Sequence, residues 1–374
     1  MVEWKKLGDL TSYYRGVTYN KKQEVSLNSG GTKILRANNI TLETNSLNYD
    51  DIKEVDVSVK IKDYQWLYPN DILICAGSGS KEHVGKVAFI KEQIGYAYGG
   101  FMGKIVTQST LSPRYLFHII SGTLFKDYLK VALNSTTINN LNSEIVNNFI
   151  IPIPSLEEQN RIVGILDTFT DSIENLKQQI AQRRKQYEHY RDQLLDLEGK
   201  EGVEMIPLKD VADIGTGSSN TNEGLEKGKY PFYTRGKEVL RKNEYEFDET
   251  SIITAGDGVG VGKVFHFVSG KYALHQRAYR IHIKSEYINP RFIYYYMVST
   301  FETYIKMKSF FAAVTSVRKP MIFNYPIPKC SLIMQQRIVS ILDTFEASIS
   351  NLEAQLAQRQ KQYEYYRNQL LTFE

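Results

Sequence analysis

Cysteine is nearly absent: the chain holds only Cys75 and Cys330, and neither sits in a Cys-x-x-Cys pair. That excludes a disulfide framework and a cysteine-rich zinc site, and it leads us to expect a reducing, cytoplasmic setting. No run of about 18 apolar residues occurs, so no membrane-spanning helix is expected. The opening Met-Val-Glu-Trp-Lys-Lys lacks the apolar stretch of a signal peptide. Catalytic signatures are missing as well. Gly258-Val-Gly-Val-Gly-Lys suggests a phosphate loop, but Asp257 replaces its first glycine and Val264 its final Ser/Thr. There is no Gly-x-Gly-x-x-Gly, no Asn/Asp-Pro-Pro-Tyr/Phe and no Gly-x-Ser-x-Gly. The six histidines show no metal-ligand spacing. Glu198-Gly199-Lys200 matches a nuclease fragment, yet it reads better as a helix end capped by Gly199. The chain alone is therefore not expected to be an enzyme, and neither a cofactor nor a metal is expected on it.

What is present is an ordinary globular composition, with 42% hydrophobic and 24% charged residues over 374 positions, enough for two domains or more. The net charge is only +4, but it is unevenly placed. Residues 1–150 hold 17 Lys+Arg against 14 Asp+Glu, and residues 199–324 hold 18 against 14. The stretches 151–198 and 325–374 give 6 against 9 and 5 against 5. Two mildly basic blocks joined by neutral to acidic segments suit a nucleic-acid binder with a separate scaffold.

An internal repeat sets the architecture. Residues 161–195 and 337–371, offset by 176, share 25 of 35 positions. The apolar positions Ile162, Leu166, Phe169, Ile173, Leu176, Ile180, Tyr187, Tyr190 and Leu194 follow a 4-3 spacing once Arg183 fills its gap. The second copy repeats it with Ile338, Leu342, Phe345, Ile349, Leu352, Leu356, Arg359, Tyr363, Tyr366 and Leu370. This is the seam of a coiled coil on two helices of roughly 50 Å, at ~1.5 Å per residue. Arg183 and Arg359 either fix the register, as polar seam residues do, or, the favoured reading, cover the seam with their stems while the guanidinium reaches water. A Pro-Ile-Pro stretch precedes each copy (Pro152 and Pro154; Pro326 and Pro328), and aligning the two places a two-residue insertion around Lys329-Cys330-Ser331.

The blocks before each helix match faintly. Leu7-Gly-Asp-Leu aligns with Leu208-Lys-Asp-Val, Gly16 with Gly217, Asp71-Ile-Leu-Ile-Cys-Ala-Gly with Thr250-Ser-Ile-Ile-Thr-Ala-Gly, and Pro113-Arg-Tyr with Pro290-Arg-Phe. Short β-rich runs and one helix per block (115–131 and 288–308) give two copies of one α+β head. The expected boundaries are 1–154 for the first head, 155–199 for the first helix, 200–328 for the second head and 329–374 for the second helix. Helices that stayed alike suit like partners about a pseudo-two-fold axis, while heads that diverged suit two different halves of one ligand. DNA half-sites on one face lie ~34 Å apart per turn, a distance that rods of this length can set.

The order of head, Pro-Ile-Pro-x-Leu-Glu-Glu-Gln-x-Arg-Ile-Val-x-Ile-Leu-Asp helix, head and the same helix again resembles the specificity subunit of type I restriction–modification systems along essentially the whole chain. The resemblance implies two α/β target-recognition domains, each reading half of a split double-stranded DNA site, and an antiparallel coiled-coil spacer. It implies two methylation subunits docked on that spacer, joined by restriction subunits. S-adenosylmethionine, Mg and ATP would then belong to those partners. A two-headed adaptor for protein or carbohydrate is the alternative.

Base edges are read by Arg, Asn and Gln, and phosphates by Lys, Ser and backbone N–H groups, so polar loops of the heads are the candidates. In the first head they are Arg36, Asn38 and Asn39; Ser78, Ser80 and Lys81; and Asn134, Ser135 and Thr136. In the second they are Thr234, Arg235 and Lys237; His275, Gln276 and Arg277; and Ser316, Arg318 and Lys319.

Overall fold

The computed structural model describes residues 2–42, 44–134, 140–308 and 316–373. Its helices are α1 (Pro113–Ile120), α2 (Thr123–Asn134), α3 (Ser143–Asn147), α4 (Leu156–Leu195), α5 (Pro290–Lys308), α6 (Lys319–Phe323) and α7 (Leu332–Leu371). The chain divides into two compact units, residues 1–176 with 355–374, and residues 177–354. Each unit is a mixed α and β head together with parts of both long helices.

In the first unit an antiparallel sheet runs in the order Thr11–Arg15, Met102–Thr107, Ile72–Cys75, Val87–Phe89. Beside it lie Ala97–Tyr98, Thr32–Leu35, Lys53–Val55 and Glu24–Val25 in a second sheet. In the second unit the corresponding strands form one six-stranded sheet: Ala212–Thr216, Ala278–Ile283, Phe247–Ala255, Phe265–Leu274, Tyr230–Tyr233 and Val239–Lys242. The long strand Phe265–Leu274 does the work of two short strands in the first head, Val87–Phe89 and Ala97–Tyr98. The two heads therefore share one topology, as the faint sequence matches suggested. The strand match itself slips by one residue: Cys75 pairs with Met102 as Ala255 pairs with Ala278, so Cys75 corresponds to Ala255 and not to Thr254. A one-residue slip exchanges the two faces of a strand, and similar letters on both faces concealed it.

Each head closes with a two-stranded ribbon, Glu3–Lys6 with Ile150–Ile153 and Glu204–Pro207 with Pro326–Lys329. In the ribbons Lys5 faces Ile151 and Ile206 faces Ile327. The offset of 176 therefore holds from ribbon to helix, and the insertion expected near Lys329-Cys330-Ser331 does not exist. Matching the two Pro-Ile-Pro triplets by letter had displaced the ribbon by two positions. Helices α4 and α7 are each 40 residues long and start and end at equivalent positions.

One helix was expected over 115–131, but the first head breaks it into α1 and α2 at Ser121-Gly122. The Arg367 guanidinium donates to the Ser121 carbonyl (3.2 Å), capping the end of α1. The core of the first unit packs Ile72, Ile74, Val87 and Ile105 of the sheet against Tyr115, Leu116, Ile119 and Phe125, and it takes in Ile162, Leu166 and Leu371 of the long helices. The second unit repeats this with Ile252 and Ile281 against Phe292, Ile293, Met297 and Phe301, completed by Ile338, Leu342 and Leu195. The first seam positions of each helix thus serve the core of the head before it, while the end of that helix serves the other unit.

Two polar devices fasten helix to head in both units. Gln159 is fully buried; its Oε1 accepts from Ser112 N (2.8 Å) and its amide donates to Thr110 O and Pro154 O. Gln335 does the same with Asn289 N (2.7 Å), Tyr287 O and Cys330 O. Arg114 binds Asp167 (2.7 Å), and Arg291 binds Asp343 (3.0 Å). His118 Nε2 donates to Asp167 (2.8 Å), which as a carboxylate can only accept, so Nδ1 accepts from the Tyr363 hydroxyl (2.9 Å). In the second unit Tyr295 takes that place and donates to Asp343 (2.5 Å).

The helices pair antiparallel: the start of α4 lies against the end of α7 in the first unit, and its end against the start of α7 in the second. Phe169 stacks on Tyr366 (5.2 Å) and Phe345 on Tyr190 (5.5 Å). The Arg359 guanidinium lies 5.7 Å from the Phe169 ring and that of Arg183 5.8 Å from Phe345. Instead of simply reaching for water, these two arginines complete the seam through their charged ends. Leu176 and Ile180 are buried, whereas Ile173, Ile349, Leu352, Leu356, Tyr187 and Tyr363 are half-buried, as befits a two-helix seam open to solvent on its flanks.

Candidate nucleic-acid interface

In the second head, chain segments more than 80 residues apart meet at one end of the six-stranded sheet. The strand Tyr230–Tyr233 runs out into Thr234-Arg235, and His275 follows the neighbouring parallel strand, its N–H donating to Tyr233 O (2.9 Å). The strand Phe247–Ala255 ends at Gly256-Asp257 on the same edge, where Gly256 N donates to Arg277 O (2.9 Å). Asp257 pairs backbone to backbone with Ser316, and Val317 N donates to Gly256 O (2.8 Å). Arg318 and Lys319 follow at the start of α6, both exposed.

Asp257 is the hub of this edge. Its two carboxylate oxygens take Arg235 (2.7 Å) and Arg277 (3.1 Å). Partial burial opposes its ionisation, but the hydrogen bonds and charge of the two arginines outweigh that and hold its pKa below the ordinary carboxylate value. Residues 220–222, Arg235, His275, Gln276 and Arg277 line an open concavity of about 390 Å³ with polar groups on nearly every side. Gln276 donates its amide to Asn220. Thr234 is buried and accepts from Gly236 N (3.3 Å), so it shapes the turn rather than facing outward; Lys237 is exposed. His275 is also buried, its Nδ1 accepting from Arg277 N (2.9 Å). Burial lowers its pKa, and Arg235 and Arg277 lower it further.

The first head builds the same edge with other side chains. Arg36 and Asn38 both donate to Asp51 (2.6 and 2.8 Å), whose pKa is held down by the Asn38 hydrogen bond and by the charge of Arg36. Asn39 is completely buried; its Oδ1 accepts from Arg36 N (2.8 Å) and its amide donates to Asn48 O (3.2 Å). It holds the turn and offers nothing to a ligand, which corrects its candidacy. Ser78 is half-buried and Ser80 exposed on the glycine-rich loop. Gly77 of that loop pairs with Asn140 where Asp257 pairs with Ser316. Ser135 and Thr136 lie outside the described residues, and for Lys81 and Asn134 only the backbone is described.

One residue on this edge was not anticipated. The turn Gly99-Gly100-Phe101-Met102 closes with Met102 N donating to Gly99 O (2.8 Å), just as Ala278 N donates to His275 O (3.0 Å). Phe101 thus occupies the place of Arg277, and it is 74% exposed. Extending the repeat offset of 176 from the helices back into the heads would have found it.

Among the described residues no group of His, Cys, Asp and Glu is placed to hold a metal ion, and no helix is long and apolar enough to cross a membrane.

The family model "Type I restriction modification DNA specificity domain" matches residues 1–183 and again 200–360. The StySPI specificity subunit of Salmonella potsdam is 30% identical over 187 residues, covering 50% of this chain and 40% of that one. The EcoR124I/EcoR124II specificity subunit of Escherichia coli is 30% identical over 256 residues, 60% of this chain and 63% of its own length. The chain thus spans less than two thirds of either relative. In fold it is similar to the S subunit of a type I restriction–modification system from M. genitalium (TM-score 0.66, 15% identity, 100% and 97% of the two chains). A chain from a study of complex assembly and conformational transition in the type I R-M system gives a TM-score of 0.58 at 16% identity, over 99% and 96%.

Proposed function

The chain belongs to the type I restriction modification DNA specificity family, and on that premise we propose that it is the DNA-reading, non-catalytic subunit of such an enzyme. Each head reads one half of a split, asymmetric duplex site. The paired helices fix the separation of the halves and dock two methylation subunits, with restriction subunits joining them in the cytoplasm. S-adenosylmethionine, Mg and ATP are used by those partners.

The observation that carries this reading is the contrast between scaffold and edge. Both heads place polar or aromatic side chains on the same strand-end edge of one topology, yet the side chains differ, while the glutamine and arginine fastenings beneath are the same. One scaffold with two different edges is what two unlike half-sites require. The alternative of a two-headed adaptor finds no support among the relatives named above.

The test is co-expression with the methylation subunits and mapping of adenine methylation across a genome. One asymmetric motif, with two defined halves around a fixed unspecified spacer, is expected. A stable complex that methylates nothing, or a continuous palindrome, would overturn the proposal.

A further inference from the structure

The turn His275-Gln276-Arg277 is held from several sides before any ligand arrives. It closes through Ala278 N to His275 O (3.0 Å), the His275 ring accepts from Arg277 N (2.9 Å), and Gln276 N donates to Ser219 O (2.9 Å). Arg277 then leans on Asp257, which holds Arg235 with its other oxygen. The two arginine side chains remain 62% and 40% exposed although each gives its Nη1 to Asp257, which leaves further N–H groups of each guanidinium to offer a ligand.

We infer that this Asp257-held arginine pair reads guanine in the half-site of the second head, an assignment that rests on the DNA-reading function proposed above. Arg meets guanine O6 and N7 through two parallel N–H groups, and that geometry is favoured when the fork is fixed from behind. A single carboxylate shared by two guanidinium groups does this. It also leaves the trio at one net positive charge, which makes it a weaker phosphate clamp than two free arginines and leaves base reading as its better use. The concavity around the pair adds amide groups from Asn220, Asn222 and Gln276, not apolar walls. In the first head the same turn is Gly99-Gly100-Phe101, without a side-chain donor, so this form of guanine reading belongs to one head only.

The experiment is selection from randomised duplex DNA by the full chain assembled with its methylation subunits, comparing the unaltered protein with Arg277→Gln and Asp257→Ala. The unaltered complex is expected to enrich two half-sites. Arg277→Gln should change one half only, at a guanine, whose preference falls roughly ten- to hundredfold. Asp257 is a positioning residue, so Asp257→Ala should broaden that same position while affinity for unrelated duplex holds or rises; a merely structural defect would lower both. The inference is overturned if Arg277→Gln enriches the unaltered motif, changes a base pair without guanine at the affected position, or loses all duplexes equally. If the unaltered complex enriches no motif, the inference falls together with the reading beneath it.

Discussion

In the first head the turn entering the strand Met102–Thr107 carries Gly99-Gly100-Phe101, and in the second the equivalent turn carries His275-Gln276-Arg277. A few residues away the heads stop differing. A Cβ on Gly16 would lie 2.2 Å from Gly99 O, and one on Gly217 would lie 1.8 Å from Leu274 O, so both heads have glycine just past the end of the strands Thr11–Arg15 and Ala212–Thr216, where the chain passes close beneath the turn. The buried glutamines and the arginine–aspartate pairs repeat as well. Buried polar groups must be satisfied whatever the ligand, and close backbone contacts admit no side chain. The exposed edge is free of those demands, and there the two heads carry quite different side chains.

The largest expected effects test whether the scaffolds are as alike as they look. Gln159→Ala and Gln335→Ala each strip a partner from one buried carbonyl and from a part-buried N–H and carbonyl, and should each cost about 2–3 kcal/mol. Urea unfolding of the two variants should give similar losses; a difference beyond twofold would mean that the fastening serves the two units unequally.

A smaller effect should set the units apart. Burial lowers the pKa of His118, against the opposing pull of its hydrogen bond to Asp167. The unfolded chain therefore takes up a proton near the ordinary value of about 6.5, while the folded first unit resists it. Stability from this site is complete above pH ~6.5, falls as pH drops below it, and levels off beneath the folded pKa. His118→Tyr, which adopts the residue found at 295, should flatten that part of the acid slope. An unchanged slope between pH 7 and 5 would show that His118 does not carry it; His266 and His275, also lowered by burial, provide the second unit with a slope of its own.

The long helices were legible because a 4-3 apolar spacing is dense and was written twice; both span the expected rods. The heads were legible only as kinds. Short strands leave few letters to align, so the match at Cys75 slipped by one residue and the proline triplets by two. Exposure was the other blind spot. Nothing in Arg36-Ala-Asn-Asn distinguishes Asn38, which faces outward, from Asn39, which is buried, because the difference arises from residues 48 and 51 folding back over the turn. Asp257 was passed over because its role depends on two arginines 22 residues before and 20 residues after it.

The seam arginines offer a finer test. Arg183→Ala and Arg359→Ala remove equivalent guanidinium–phenylalanine contacts and should each lower stability by about 0.5–1 kcal/mol. Replacement by Met, which keeps an apolar stem, separates the charge contribution from the packing contribution. If Met restores all the lost stability, the stem matters and the ring contact does not.

Phe101→Ala should disturb the fold least and sharpen the comparison most. The ring is 74% exposed, so its loss should move stability by no more than about 0.5 kcal/mol. The ring lies beside Gly77, where a Cβ would come within 3.2 Å of it, and most of its apolar surface is left exposed. A residue there that meets DNA can pack against a thymine methyl or wedge between base steps, contacts in which shape and not hydrogen bonding decides preference. In duplex selection Phe101→Ala should therefore relax the half-site that Arg277→Gln leaves unchanged. Relaxation of the same half by both variants would place Phe101 and Arg277 on one half-site, and one head for each half would no longer stand.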